Sequence, residues 1–166
     1  AGSYDVPASV TVAAGTNEGI LTVSLSDVNL GIGVNKITIN FEDVAGAYHG
    51  ESTTLEYVQN CTEVTVTLDF NFDYYSDETG WFISDSLGGV VASKNAGGYA
   101  TGIWTASESI VLCSGRDYTL TVTDAWGDGM NDGTNLGFYS LTFDGVVKAT
   151  GGGNFGASES NAFDTD

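Results

Sequence analysis

The chain has 166 residues, enough for one substantial domain or two small ones, and its 42% hydrophobic content suffices for a packed core. Its 22 acidic and 4 basic side chains give a formal net charge of −18, which disfavours nucleic acid and anionic membrane surfaces as partners and leaves neutral sugars and cations compatible. No run approaches the roughly 20 apolar residues of a membrane span, and no charged-then-apolar leader stands at Ala1.

The chain reads as strand after strand. Residues 8–13, 19–25, 34–41 and 52–58 alternate apolar with polar side chains and are rich in β-branched types, which predicts an antiparallel meander of four strands. Turn signals fall at 14–17, 31–33 and 45–46, and Pro7 precedes the first strand. Four short strands make a thin core, so residues 1–59 are expected to need further chain against which to pack.

The second half contains a repeat. Asp73-Tyr-Tyr-Ser-Asp77 and Asp124-Ala-Trp-Gly-Asp128 share the pattern Asp-x-aromatic-x-Asp after an alternating strand, at an offset of 51. Farther on, Gly89-Val-Val matches Gly145-Val-Val at an offset of 56, so an insertion of five residues separates the two blocks. Each copy reads as a strand, an acidic loop, a hairpin and a Gly-rich return. The duplication predicts an all-β fold for residues 60–166: an antiparallel β-sandwich of about eight strands, jelly-roll-like or immunoglobulin-like.

The acidic loop of the second copy carries Asp124, Asp128 and Asp132 between glycines, with Asn131 beside them. Oxygen ligands on a Gly-rich turn suit Ca²⁺, which accepts six to eight oxygens in flexible geometry, better than Zn²⁺, which takes His and Cys. The spacing is not that of an EF-hand, because Trp126 and Tyr139 stand where ligands would be needed. The competing reading makes these aspartates turn residues on a solvated hairpin. If both loops lie at one end of the sheets, Asp73, Asp77 and Glu78 join Asp124, Asp128 and Asp132 in a single rim; otherwise there are two separate sites.

Cys61 and Cys113 have no CxxC partner and no neighbouring His, which points to one disulfide and an oxidising compartment, with two buried thiols as the alternative. Nothing in the sequence reads as a catalytic apparatus. His49 sits in a Gly-flanked loop, no Ser or Cys stands in a nucleophile elbow, and Gly151-Gly-Gly153 lacks the Lys-Ser/Thr of a phosphate loop. A non-enzyme is expected. Aromatic side chains gather in or beside the loops, and a sugar ring can stack its C–H face on one while its hydroxyls bond carboxylates. Trp126, Tyr75 and Trp104 are the candidate ligand-binding residues, whereas Trp81, in an alternating strand, reads as core.

Cys61, Glu78-Thr-Gly-Trp81, Cys113, Tyr118-Thr-Leu-Thr-Val-Thr-Asp-Ala-Trp-Gly-Asp-Gly129 and Gly151-Gly-Gly-Asn-Phe155 together resemble a β-sandwich module of secreted and surface proteins of Bacteroidetes-type bacteria. The chain departs from that pattern at Ser76-Asp77 and in the insertion Asn131-Asp-Gly-Thr-Asn135. Residues 4–58, with Asp5-Val-Pro-Ala-Ser-Val-Thr-Val-Ala-Ala-Gly15, resemble the later strands of a Calx-beta-type domain. These resemblances imply a secreted or cell-surface, non-catalytic accessory module of a larger protein. Two functions fit it. One is a Ca²⁺-dependent module binding polysaccharide or a cell-surface glycan, or mediating adhesion. The other is a structural repeat of a filament or large adhesin that pairs strands with neighbouring copies or domains of the same protein.

Overall fold

The computed structural model describes residues 4–25, 34–43, 45–46, 48, 50–58 and 60–166. The chain divides into two compact units, Ala1–Gln59 and Asn60–Asp166. Both are all-β, and among the described residues no helix is long and apolar enough to cross a membrane.

In the first unit β1 (Tyr4–Asp5) pairs antiparallel with β2 (Ser24–Leu25), and β3 (Val34–Ile39) with β4 (Thr53–Val58). The four-strand segment expected here is present, but among the described residues its strands pair two by two and not as the expected meander. Residues 8–13 form no strand, and the strand expected at 19–25 shrinks to its last two residues. Alternation reports which side of a segment is apolar; it does not supply a neighbouring backbone for the ladder bonds that define a strand. The apolar side is still used, because Val10, Val12, Val23, Ile37, Ile39 and Phe41 help line an open groove of about 960 Å³. The turn expected at 14–17 is present, with the Thr16 amide and hydroxyl donating to the Ala13 carbonyl at 3.0 and 2.8 Å. The turn expected at 31–33 and His49 lie outside the described residues.

The second unit is a sandwich of eight strands: β5 (Glu63–Asn71), β6 (Thr79–Asp85), β7 (Val90–Lys94), β8 (Thr105–Cys113), β9 (Asp117–Asp124), β10 (Phe138–Phe143), β11 (Val146–Gly152) and β12 (Ser158–Asp164). One sheet has the order β11-β10-β5-β8 and the other β12-β9-β6-β7, antiparallel throughout. Exchanging β5–β8 for β9–β12 converts one order into the other, so the duplication read from the sequence is also a duplication of topology. Each repeat gives two strands to each sheet. The correspondence extends to detail, since both hairpins carry a register shift just before their turn, at Ile83/Ser84 and at Leu141/Thr142.

Alternation places Val66, Leu68 and Phe70 of β5, Ile83 of β6, Leu120 and Val122 of β9 and Leu141 of β10 in the buried core between the sheets. Each such side chain contributes about 1.5–3 kcal/mol relative to exposure. Trp81 is buried, as its strand position predicts, and its indole N–H donates to the Tyr99 hydroxyl at 3.0 Å.

Cys61, just ahead of β5, and Cys113, at the end of β8, form a disulfide with Cα atoms 5.6 Å apart, inside the usual range. The ladder presets this distance, because Cys113 faces Glu63 across β5 and β8. Beside it the Tyr118 hydroxyl accepts from the Cys113 amide at 2.9 Å and donates to the Cys113 carbonyl at 3.2 Å. Tyr118→Phe strands that buried amide, and a loss of about 1–3 kcal/mol is expected in urea denaturation at fixed pH. A midpoint equal to wild type would show that the hydroxyl is dispensable.

Candidate metal centre and aromatic cleft

The register of β6 and β9 brings the two acidic loops to one end of the sandwich. Thr79, the first residue of β6, lies opposite Asp124, the last of β9, so the loop entering β6 and the loop leaving β9 meet there. The Ala125 amide donates to the Glu78 carbonyl at 3.0 Å and ties them together.

Each loop begins with the same local structure. Asp73 Oδ1 accepts the Tyr75 amide at 3.0 Å, and Asp124 Oδ1 accepts the amides of Trp126 at 3.0 Å, Asp128 at 3.2 Å and Gly127. The Asp-x-aromatic motif is therefore an Asx turn in both copies, with one carboxylate oxygen committed to the backbone. In the second loop Gly129, at φ +82°, runs against the backbone of Gly153 and Phe155, leaving no room for a Cβ. The Met130 amide donates to the Gly153 carbonyl at 2.8 Å, so the Gly-Asp-Gly and Gly-Gly-Gly-x-Phe stretches are two sides of one close backbone approach.

Glu78, Asp124 and Asp128 come together here, each offering a carboxylate oxygen within 4.8 Å of the others. A Ca²⁺ ion bonds oxygens at about 2.3–2.6 Å, so ligands on opposite sides of it lie up to about 5 Å apart, and the three carboxylates fit around one such ion. Asp124 is buried, Glu78 half-buried and Asp128 exposed, which leaves the group open to solvent on one side. Nearby, Asp77 Oδ1 is buried with no hydrogen-bond partner. Burial pushes the Glu78 carboxyl up to about 7, helped by the charges of Asp124, Asp128, Asp77 and Asp73. The Asp73 carboxyl is also raised, by burial first, against the lowering effect of the Tyr75 amide and with the charges of Asp132, Asp124 and Asp128 adding to it.

These shifts fix the sign of a pH effect. The Glu78 pKa, about 7 in the fold against 4.5 for the free side chain, makes a contribution to stability that is fully present below about 4.5 and lost as pH rises through about 7. In chelator the wild-type melting temperature should therefore fall more between pH 4.5 and 7.5 than that of Glu78→Gln. Parallel profiles for the two proteins would contradict the crowding of charge at this point.

Asp132 and Asn131, the other predicted ligands of the second loop, are engaged within the insertion. Asp132 Oδ1 accepts the amides of Thr134 and Asn135 at 2.8 and 2.6 Å, and Oδ2 accepts Asn135 Nδ2 and the Tyr74 amide at 2.8 and 3.2 Å. Donors from Asn135 and Thr134 hold its pKa down to about 2. With two donors on each oxygen, Asp132 clamps the insertion onto the first repeat's loop. Asn131 Oδ1 accepts the Gly133 amide at 2.9 Å, and a bridge between Asn131 and Leu136 closes the insertion as a small hairpin.

No protein-family model, curated protein or solved structure matches the chain. The functional reading accordingly stands on the geometry of these loops.

The predicted aromatic residues separate. Tyr75 and Trp104 line a shallow cleft of about 260 Å³ together with Tyr74, Asp132, Thr134 and Asn135. Trp126 is 80% exposed on the acidic loop and does not line the cleft. Tyr74 belongs to the aromatic residues that gather in the loops, and Thr134 and Asn135 to the insertion, but no local pattern places them in one cleft. The available signal was the five-residue insertion, which supplies one wall.

Proposed function

We propose that residues 60–166 form a non-catalytic, calcium-stabilised module of a secreted or cell-surface protein, which binds glycan or mediates adhesion. The observation that carries this reading is the meeting of Glu78, from the first repeat, with Asp124 and Asp128, from the second, at a spacing that suits one cation. A Ca²⁺ ion there neutralises charges that otherwise repel and cross-links the two halves of the duplicated sandwich. The disulfide accords with an oxidising, extracytoplasmic setting, and the sequence resemblance to surface modules of Bacteroidetes-type bacteria points the same way.

A second reading, a filament subunit or adhesin repeat assembled by strand pairing, is favoured by the first unit. None of its residues whose exposure is described is buried, and its apolar groove lies open beside two-stranded ladders. Calorimetric calcium titration combined with analytical ultracentrifugation separates the two. A saturable calcium site in a chain that stays monomeric supports the first, and concentration-dependent polymers without calcium uptake support the second.

A further inference from the structure

Tyr74, Tyr75 and Trp104 are each about half exposed, at 50%, 45% and 51%, although their neighbours in the sandwich bury their rings. The two tyrosine rings meet edge to face with centroids 5.3 Å apart, and both line the same cleft as the Trp104 indole. Their exposure is built in by the backbone around them. The Phe72 amide donates to the Trp104 carbonyl and the Gly102 amide to the Tyr74 carbonyl, both at 2.9 Å, while the Ser76 hydroxyl donates to the Ala100 carbonyl at 2.8 Å. On the opposite wall, Asp132 holds the Tyr74 amide at 3.2 Å. Three segments of chain are thus laced into one rigid rim, which lowers the ordering cost of binding.

The insertion that supplies Asp132, Thr134 and Asn135 occurs in one repeat only, so it breaks the pseudo-two-fold symmetry of the sandwich at the place where the cleft lies. A duplicated fold does not need it for its core. We propose that this cleft is a carbohydrate subsite for one ring of a neutral or amino-sugar polysaccharide, stacked on Trp104 and Tyr75 and hydrogen-bonded at its edge by Thr134 and Asn135. Exposed π faces beside polar groups suit a ring with one C–H face and a hydroxyl rim, and the small volume suits one ring rather than a longer segment. The Asp132 carboxylate and the net charge of −18 repel uronic and sulfated sugars. This rests on the glycan-binding part of the function proposed above, and it is independent of the metal.

Affinity electrophoresis through gels containing neutral glucan, xylan, galactomannan or glycol chitin, an uncharged amino-sugar polymer, with alginate as the acidic counterpart, tests it. Wild type should be retarded in at least one of the first four and not in alginate. Trp104→Ala and Tyr75→Ala should each weaken retardation at least about tenfold, and Val146→Ala, exposed at the start of β11 and outside the cleft, should leave it unchanged, all with wild-type melting temperatures. Retardation that survives both cleft substitutions, or that occurs in alginate alone, overturns the cleft assignment while leaving glycan binding intact. No retardation in any of the five gels overturns both.

Discussion

Removing the Cys61–Cys113 bond should be the most damaging change outside the core, at about 4 kcal/mol. The sequence separation of 52 residues sets the scale, because the cross-link denies the unfolded chain the freedom of a long loop. The bridge encloses nearly all of the first repeat, from the entry of β5 to the end of β8, and these strands are paired along their whole length. A Cys61→Ala/Cys113→Ala variant should therefore keep its ladder and its folded spectrum. Its melting temperature should fall by roughly 15–25 °C, and its urea m-value should rise as the unfolded state expands. A loss below about 1 kcal/mol would show that residual structure in the unfolded chain already closes this loop.

The second large effect separates turn from metal at Asp124. Its Oδ1 serves the Asx turn, accepting three amides, while the carboxylate as a whole stands in the group with Glu78 and Asp128. Asp124→Asn retains an Oδ1 acceptor for the turn and removes the charge. In chelator it should melt at or slightly above wild type, because repulsion is relieved, and it should gain little from calcium. Wild type at a hundredfold excess of calcium over its dissociation constant should gain about 2.7 kcal/mol. Asp124→Ala loses both roles, and should be a further 1–2 kcal/mol or so less stable in chelator. Asparagine and alanine variants that behave alike, each with a full calcium response, would reduce Asp124 to a turn residue.

The sandwich was legible because its signals are periodic. Alternation in β5, β6, β9 and β10 set the buried faces, and the offsets between Asp73 and Asp124 and between Gly89 and Gly145 revealed a duplication that the two sheet orders reproduce. The meeting of the two acidic loops followed only as one of two alternatives, since the choice depends on β6 and β9 being neighbours, a pairing that no local pattern specifies. The same limit explains residues 8–13, whose alternation is good and whose ladder partner is missing among the described residues. Within the site, Asp132 looks like Asp128 in sequence, yet its four N–H donors make it a clamp, and that difference arises from the fold of the insertion. The pairing of Tyr75 with Trp104 spans a sequence gap that composition cannot bridge.

The central claim is that a cation joins the two repeats through Glu78, Asp124 and Asp128. A thermal melt of the whole chain in EDTA, repeated with millimolar Ca²⁺ and with Mg²⁺, tests it most directly. A rise in melting temperature that is large with Ca²⁺, small with Mg²⁺ and absent in Asp124→Asn is the predicted result. Identical melts in all three buffers would contradict the claim and leave the aspartates as turn residues alone.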